Sequence, residues 1–420
     1  MVQHRSKKSL SNDPDKLYLY RMNSPTLRDR FFRHVAQTSD NPPGIEFVRG
    51  KGCELFDQTG KSYIDLIAGI SVSSLGHQHP EITKAIHEQV DRHLHVMVYG
   101  EFILSPQVEM ASLLASHLPD SLSSVYFTNS GSEAIEGAMK LAKRATGRTQ
   151  LAAFRQSYHG STQGALSITG DDELQQSFRP LLPDILHLRY NRLEDLSLIT
   201  HRTAAVFIEP IQAEAGCLLP DPGLLQAIRQ RCNEMGTLLI MDEIQTGMGR
   251  TGTLFAFQQS GVIPDVLVTG KAFGGGMPLA AFIGSPTIMS KLTHDPVLGH
   301  ITTFGGHPVS CAAGIAALRV LVQEKLAEST AEKEKLFRDL LKHQRILRIS
   351  GKGLLLAVHF DDESFNRQVI QQCLENGLVT DWFLFAPNCL RIAPPLTISE
   401  QEIILACEII LRSIVKSTQS

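Results

Sequence analysis

The stretch that decides the fold runs from Thr237 to Ala281, TLLIMDEIQTGMGRTGTLFAFQQSGVIPDVLVTGKAFGGGMPLAA. It holds two short apolar runs, and each ends in a functional group. Leu238–Met241 reads as a buried strand with Asp242, Glu243 and Gln245 at its exit. Val266–Thr269 reads as a second, with Lys271 just beyond it and Gly274, Gly275 and Gly276 after that. In an open α/β sheet, ligands sit outside the carboxyl ends of the strands. An acid and a lysine at two such ends can therefore share one ligand.

Outward from this stretch, the chain alternates strand, loop and helix from about 105 to 305. The strands are read at Val125–Thr128, Leu151–Phe154, Ala204–Glu209, Leu238–Met241, Val266–Thr269 and Ala280–Gly284. The helices are read at Ser105–His117, Glu133–Ala145, Pro222–Met235 and Pro308–Glu324. This alternation implies a mostly parallel sheet covered by helices on both faces. Before it, a helix is read within 25–40, a small β-meander over Gly44–Tyr63, the loop SVSSLGHQHP, and an amphipathic helix over Pro80–Leu94 with Ile82, Ile86 and Val90 four apart. After about 325 the pattern becomes helix, strands, helix. Ser399 and Glu402 form a capping box for the last helix, whose apolar face carries Ile403, Cys407, Ile410, Leu411 and Ile414. The expected domains are a polar arm over 1–20, a small α+β domain built from 21–75 and 321–420, and a large α/β domain over 76–320.

The 420 residues carry 43% hydrophobic and 20% charged side chains and a net charge of -3. That is ordinary for a globular protein, and it excludes nucleic acid and anionic membrane as main partners. Seven dispersed cysteines without a CxxC pair imply free thiols in a reducing compartment. The first twenty residues lack a signal-peptide core, and no apolar run reaches the ~18 residues of a membrane span. The expected location is the cytoplasm, and no metal site is expected.

Several motifs carry chemistry. In YFTNSGSEAIEG, a strand runs into Asn129-Ser130-Gly131-Ser132 and a helix starts at once. Ser130 and Glu133 read as a capping box, and a plain capped helix accounts for the tetrad better than a phosphate seat, in which free helix N–H groups and Gly131 would receive an anion. Tyr158 follows the strand Leu151–Phe154; it is either a core aromatic or a ring that stacks on a flat ligand. His159 reads first as a structural hydrogen-bonder and second as a proton relay. Glu209 ends a strand and Glu214 lies in the loop beyond; spacing alone does not fix their roles. Gly247-Met248-Gly249-Arg250-Thr251-Gly252 matches GxGxxG, but a dinucleotide fingerprint begins at the strand end. Here two acids stand where the pyrophosphate would lie, so NAD binding is rejected.

Lys271 follows a buried strand and precedes an apolar run. A lysine in an apolar cleft has a lowered pKa and forms Schiff bases with aldehydes. Asp242 against a pyridine nitrogen would keep that nitrogen protonated, as the electron sink of pyridoxal phosphate requires. The pair is therefore expected to grip opposite ends of an aromatic aldehyde cofactor. Arg391, in LRIAPP, calls for a carboxylate partner, either a protein acid or a substrate.

Taken together, the ordered motifs NSGSEA, YHG, EPIQAE, DEIQTGMGRTG, TGKAFGGGMPL and LRIAPPL resemble the class III (ornithine/GABA type) aminotransferases, pyridoxal-phosphate-dependent enzymes of fold type I, over about residues 40 to 415. The resemblance implies a seven-stranded, mostly parallel sheet, ping-pong transamination from an amino acid or terminal amine to a 2-oxo acid, and a homodimer with shared active sites. It makes Lys271 the lysine of the internal aldimine and the proton shuttle, and Asp242 the partner of the pyridine nitrogen. It sets Gln245 near the phenolic oxygen, makes Tyr158 the stacking aromatic, and has Ser130, Gly131 and Ser132 form the phosphate turn. His159 and Glu209 are expected near the cofactor. Thr303 would reach the phosphate of the neighbouring subunit. Arg391 would hold the substrate α-carboxylate, and Glu214 would pair with Arg391 when a terminal amine binds.

Three positions depart from the family pattern. Ser161 stands where ornithine, acetylornithine and GABA members carry an arginine for a distal carboxylate. His307 stands where the family commonly has asparagine, and Ala213 replaces a common glycine. Two rival activities remain: an aminomutase or racemase of the same fold, distinguished by whether a 2-oxo acid is required, and a non-catalytic binding protein of this fold.

Overall fold

The computed structural model describes residues 25–419; the arm expected over residues 1–20 lies outside them. Fifteen strands are described: β1 (Phe47–Lys51), β2 (Glu54–Asp57), β3 (Ser62–Asp65), β4 (Ser124–Thr128), β5 (Gln150–Phe154), β6 (Ile185–Leu188), β7 (Thr203–Ile208), β8 (Leu238–Asp242), β9 (Val266–Thr269), β10 (Ala280–Gly284), β11 (Arg348–Lys352), β12 (Leu355–His359), β13 (Leu378–Val379), β14 (Trp382–Phe383) and β15 (Ala386–Ile392). Seven of them form the central sheet in the order β4-β10-β9-β8-β7-β5-β6. All its pairings are parallel except those of β10, which runs antiparallel to both β4 and β9. The α/β class and the seven-stranded, mostly parallel sheet are thus as expected.

These strands are continuous apolar runs because both faces are covered. All six residues of β7 are buried. Successive side chains point to opposite faces: Val206, Ile208, Leu239 and Met241 enter one core, while Ala205, Phe207 and Ile240 enter the other.

Two four-stranded sheets flank this layer. In β1-β2-β3-β13, the meander read from the sequence pairs in parallel with a strand from far along the chain, Ile64 opposite Leu378. The other is β11-β12-β15-β14, all antiparallel. Helix Glu400–Thr418 carries the expected capping box at Ser399, with Ile403, Cys407, Ile410 and Ile414 buried and Leu411 half-buried.

The structure corrects several details. β6 does not appear among the strands read from the sequence; four residues at a sheet edge give too short a pattern to register. The helix within 25–40 covers only Leu27–His34, capped by Thr26 and Asp29. Glu209 lies past the end of β7. On helix Pro80–Arg92, Val90 is exposed and Gln89 buried. At 3.6 residues per turn, a spacing of eight rotates Val90 about 80° away from Ile82, whereas position 89 falls almost directly behind it. Ser130 accepts from the Glu133 N–H, but the Glu133 carboxylate turns to Asn129, so this box is only half formed.

Candidate active site

Four adjacent parallel strands, β9, β8, β7 and β5, deliver their exits to one sheet edge. Lys271 lies beyond β9, Asp242 ends β8, Glu209 follows β7, and Tyr158 and His159 follow β5. The antiparallel β10 begins at the same edge, with Ala280 opposite Thr128, so the turn Asn129–Ser132 also reaches it.

Asp242 is buried and held from two sides. Its Oδ2 lies 2.8 Å from His159 Nδ1, and its Oδ1 accepts from the Ile244 N–H at 3.0 Å. His159 is thus behind the acid, as a structural hydrogen-bonder would be. Lys271 takes a left-handed backbone (φ 50), sparsely populated for a residue with a Cβ, and opens the short helix Lys271–Gly274. Burial lowers the pKa of its amine, and the charges that reach it are those of Glu214, Arg391, Asp242 and Glu209. These five groups therefore converge.

Glu209 is buried, and its carboxylate accepts from the main-chain N–H of Tyr158 (3.1 Å) and of Ala213 (3.4 Å). Burial, then the charge of Asp242, pushes its pKa well above the usual range. It ties the Tyr158 loop to the loop of Glu214. Tyr158 is half-buried, and the nearby Ser161 is an exposed residue whose N–H donates to Ser132 Oγ at 3.2 Å. Gly160 (φ 130) is required here, because a Cβ would come within 2.2 Å of Ser132 Oγ.

Helix Gly131–Thr146 starts at this turn, where first-turn N–H groups lack intrahelical partners. Glu133 is engaged with the N–H and side-chain amide of Asn129, so its charge is committed to the turn. The neighbouring loop is attached by Asn129 Nδ2 donating to Thr302 Oγ1 at 3.1 Å, while Thr303 is exposed. His307 caps helix Pro308–Gln323 by accepting from the Val309 N–H at 3.3 Å, a cap that an asparagine side chain could also supply.

Arg391 and Glu214 form a buried bidentate pair, Nη1 to Oε1 at 3.1 Å and Nη2 to Oε2 at 3.0 Å. Gln245 joins them, accepting from Arg391 Nη1 and donating to Glu214 Oε1, both at 3.2 Å. Its amide is therefore occupied at the ion pair. Burial would raise the Glu214 pKa, but the charge and hydrogen bonds of Arg391 hold it down to about 2. Two partners escaped the sequence reading. Asp381 accepts from Arg391 Nε at 2.7 Å, and the Leu384 N–H donates to Glu214 Oε2 at 3.1 Å. The signal was the hairpin: in β14–β15, Trp382 faces Leu390, which sets Asp381 beside Arg391.

The GxGxxG loop is stapled from inside. Glu243 accepts from the N–H groups of Ala256 (2.7 Å) and Phe257 (2.6 Å) and from Thr246 Oγ1 (2.8 Å). Arg250, fully buried, donates to the carbonyls of Leu354 and Pro394 and to Ser74 Oγ. Glu243 and Arg250 are thus both engaged with internal partners. Among the described residues, no group of three or more His, Cys, Asp or Glu could hold a metal ion. No helix of theirs is long and apolar enough to cross a membrane.

The donor set fits pyridoxal phosphate: an amine with lowered pKa, a fixed carboxylate one strand away, an aromatic side chain two strands beyond that and a helix N-terminus at the same edge. The family description Aminotransferase class-III matches residues 34–414. The chain is 39% identical to acetylornithine aminotransferase of Methanopyrus kandleri, over 91% of this chain and 96% of that one. It is 38% identical to that of Bacillus cereus, over 87% and 94%. Among solved structures it resembles ornithine aminotransferase of Toxoplasma gondii, with PLP at partial occupancy in the active site (TM-score 0.87, 30% identity, 98% of this chain and 99% of that one). It also resembles the omega transaminase of Pseudomonas jessenii in complex with PMP (TM-score 0.87, 25% identity, 94% and 98%). With its fold, its convergent lysine and acids, and a match over nearly all the described residues, the chain belongs to the class III aminotransferases and carries out transamination with pyridoxal phosphate.

Proposed function

We propose that the enzyme takes an amino group from a terminal-amine donor, passes it to a 2-oxo acid, and switches between the two through Glu214 and Arg391. Bound pyridoxal phosphate supplies the electron sink that stabilises negative charge on the reacting substrate carbon. Lys271 would hold the aldehyde end and, once free, would accept the proton that leaves the substrate carbon. Its lowered pKa supports this role, because a neutral amine is needed to accept the proton. Asp242 keeps the pyridine nitrogen protonated, and His159 holds Asp242 in place. The N–H groups at Gly131 and Ser132, with Ser130, would receive the phosphate, and Tyr158 would stack on the ring.

The observation that carries the switch is the bidentate Arg391–Glu214 pair. While it is closed, Arg391 is neutralised and an uncharged amine substituent can lie against it. A 2-oxo acid needs Glu214 displaced so that both Nη groups can donate to its carboxylate. Asp381 stays on Nε in either case.

For the donor, the acetylornithine aminotransferases at 38–39% identity support a δ-amine donor of ornithine type. Ser161 favours a second reading, a terminal amine without a distal carboxylate, because an uncharged hydroxyl cannot replace an arginine there. Rapid mixing of the PLP form with N-acetylornithine, ornithine and putrescine separates the two. Conversion to the pyridoxamine form by N-acetylornithine supports the first donor, by putrescine alone the second, and by none of the three overturns the terminal-amine reading.

The same reading makes the enzyme a homodimer. Leu94 (59% exposed), Phe102 (56%), Ile103 (92%) and Phe304 (53%) leave much apolar surface uncovered. The His95 ring lies 4.9 Å from Phe304, so the two stretches adjoin, and the exposed Thr303 belongs to the same loop. Light scattering should give a dimer, and Ile103→Glu should weaken it. The seven free, buried cysteines support a cytoplasmic location.

A further inference from the structure

Glu214 lies on a turn whose main chain is held at several points. Gln212 and Leu218 exchange N–H···O bonds (3.0 and 2.9 Å), and the Cys217 N–H donates to the Ala213 carbonyl at 3.0 Å. The Glu214 carbonyl accepts from the Phe385 N–H at 3.0 Å. The remaining hold is on Gly216, and side chains make it.

Ser350 on β11 donates to the Gly216 carbonyl at 2.5 Å. Its hydroxyl oxygen lies 2.6 Å from His359 Nε2, and His359 Nδ1 lies 3.1 Å from Cys389 Sγ. The direction of these bonds follows from proton counting. A carbonyl only accepts, so the single Ser350 proton goes to Gly216. His359 Nε2 must then carry its own proton, which faces Ser350 Oγ. Nδ1 is left with a lone pair, and the Cys389 S–H is its donor; the other acceptor near that thiol, Asn388 Oδ1, is farther at 3.6 Å. Gly216 (φ 76) rests directly on this group: a Cβ there would meet His359 Cε1 at 3.3 Å and Cys389 Sγ at 3.4 Å. Cys389 is two residues from Arg391, and Gly216 is two residues from Glu214. The chain therefore joins the strand of the arginine to the turn of the glutamate.

We infer that Ser350, His359 and Cys389 are positioning residues for the gate, a one-way hydrogen-bond chain that clamps the Gly216 carbonyl so that Glu214 leaves and rejoins Arg391 by side-chain rotation over a fixed turn. The inference rests on the reading of Glu214 and Arg391 as a gate. Burial pushes the His359 pKa down to about 4, so the ring stays neutral and its proton stays on Nε2 at working pH. With the clamp removed, holding Glu214 on Arg391 costs more conformational freedom, and a ligand carboxylate displaces it more readily.

The test uses two small amines that condense with the cofactor aldehyde and free Lys271: aminooxyacetate, which carries a carboxylate for Arg391, and O-methylhydroxylamine, which does not. Their half-saturation concentrations are read from the absorbance of the holoenzyme. Ser350→Ala and His359→Phe are expected to lower the value for aminooxyacetate by about three- to tenfold, leave that for O-methylhydroxylamine unchanged, and leave the limiting rates alone. Ser350→Thr, which keeps the hydroxyl, should restore the wild-type ratio. Equal shifts for both probes would overturn the inference, as would no shift while Glu214→Gln still favours aminooxyacetate. If Glu214→Gln leaves the ratio unchanged, the gate reading itself falls. Nitrogen-15 spectra of histidine-labelled wild-type enzyme give an independent check, since a proton on Nδ1 of His359 would contradict the direction of the chain.

Discussion

The two halves of the site are built differently. The floor, with Lys271, Asp242, Glu209 and Tyr158, comes from the exits of four neighbouring parallel strands whose main chains are fixed in one sheet. The gate, with Glu214, Gln245, Asp381 and Arg391, brings together a turn after β7, a loop after β8 and a hairpin of a different sheet; its central pair is 177 residues apart. The difference matches the work proposed for each half. Groups that must meet one cofactor atom in every turnover stand on rigid elements. Groups that must alternate between partners stand on turns, where a side chain can rotate without moving the sheet.

The largest effect should come from the floor. Lys271→Ala removes both the attachment of the aldehyde and the proton carrier, so the rate should fall by at least the ~10²–10⁴-fold that a positioned acid–base group contributes. The bound cofactor should also lose the absorbance near ~420 nm of its lysine-linked form. Persistence of that band would remove Lys271 from the floor and leave the comparison without its anchor.

Next is Glu243, which lies between the two halves and staples the loop that follows Gln245. Burial raises its carboxyl from 4.5 to about 7 in the folded chain. Between those values the folded state binds more protons than the unfolded one, so this group makes stability fall as pH rises from 4.5 to 7 and adds no slope above. The loss amounts to about 3 kcal/mol. Thermal unfolding of wild type and Glu243→Gln across this range should show the slope in the first and its absence in the second. Equal slopes would mean that the loop is not held by a buried acid.

How far the sequence discloses each half follows from the same contrast. A floor residue announces itself locally: an apolar run sets the strand, and Lys271 or Asp242 at its end is already at the ligand edge. The strand–turn–helix at Ser130-Gly131-Ser132 was readable for the same reason, since strand, turn and helix follow without a break, whereas a phosphate role for it came from resemblance. Gate partners have no local signature. The acid for Arg391 was left open between protein and substrate by its apolar setting, and only hairpin pairing brings Asp381 to it. Gln245 is expected near the cofactor's phenolic oxygen on resemblance alone, and the bonds of its amide to Arg391 and Glu214 are set by tertiary packing that no local pattern shows. Val90 shows the limit within one helix: a spacing of four looked continuous, but rotation carried it to the surface and left Gln89 in its place.

The smallest effect sharpens the comparison most, because it separates the moving part of the gate from its fixed part. Asp381 meets Nε of Arg391, on the side away from the two Nη groups that Glu214 holds. It can therefore stay while Glu214 leaves, and its charge then lowers the attraction of Arg391 for an incoming carboxylate. Asp381→Asn keeps an acceptor for Nε and removes the charge. Half-saturation by a 2-oxo acid should fall by about threefold, or ~0.7 kcal/mol, with kcat unchanged. Burial raises the Asp381 carboxyl to about 6, so it is ionised above that pH and neutral below it. The difference between wild type and variant should accordingly be full at pH 8 and vanish at pH values well below 6. A difference that persists in acid would show that Asp381 acts through its shape, and that the fixed side of the gate has no electrostatic part in choosing the substrate.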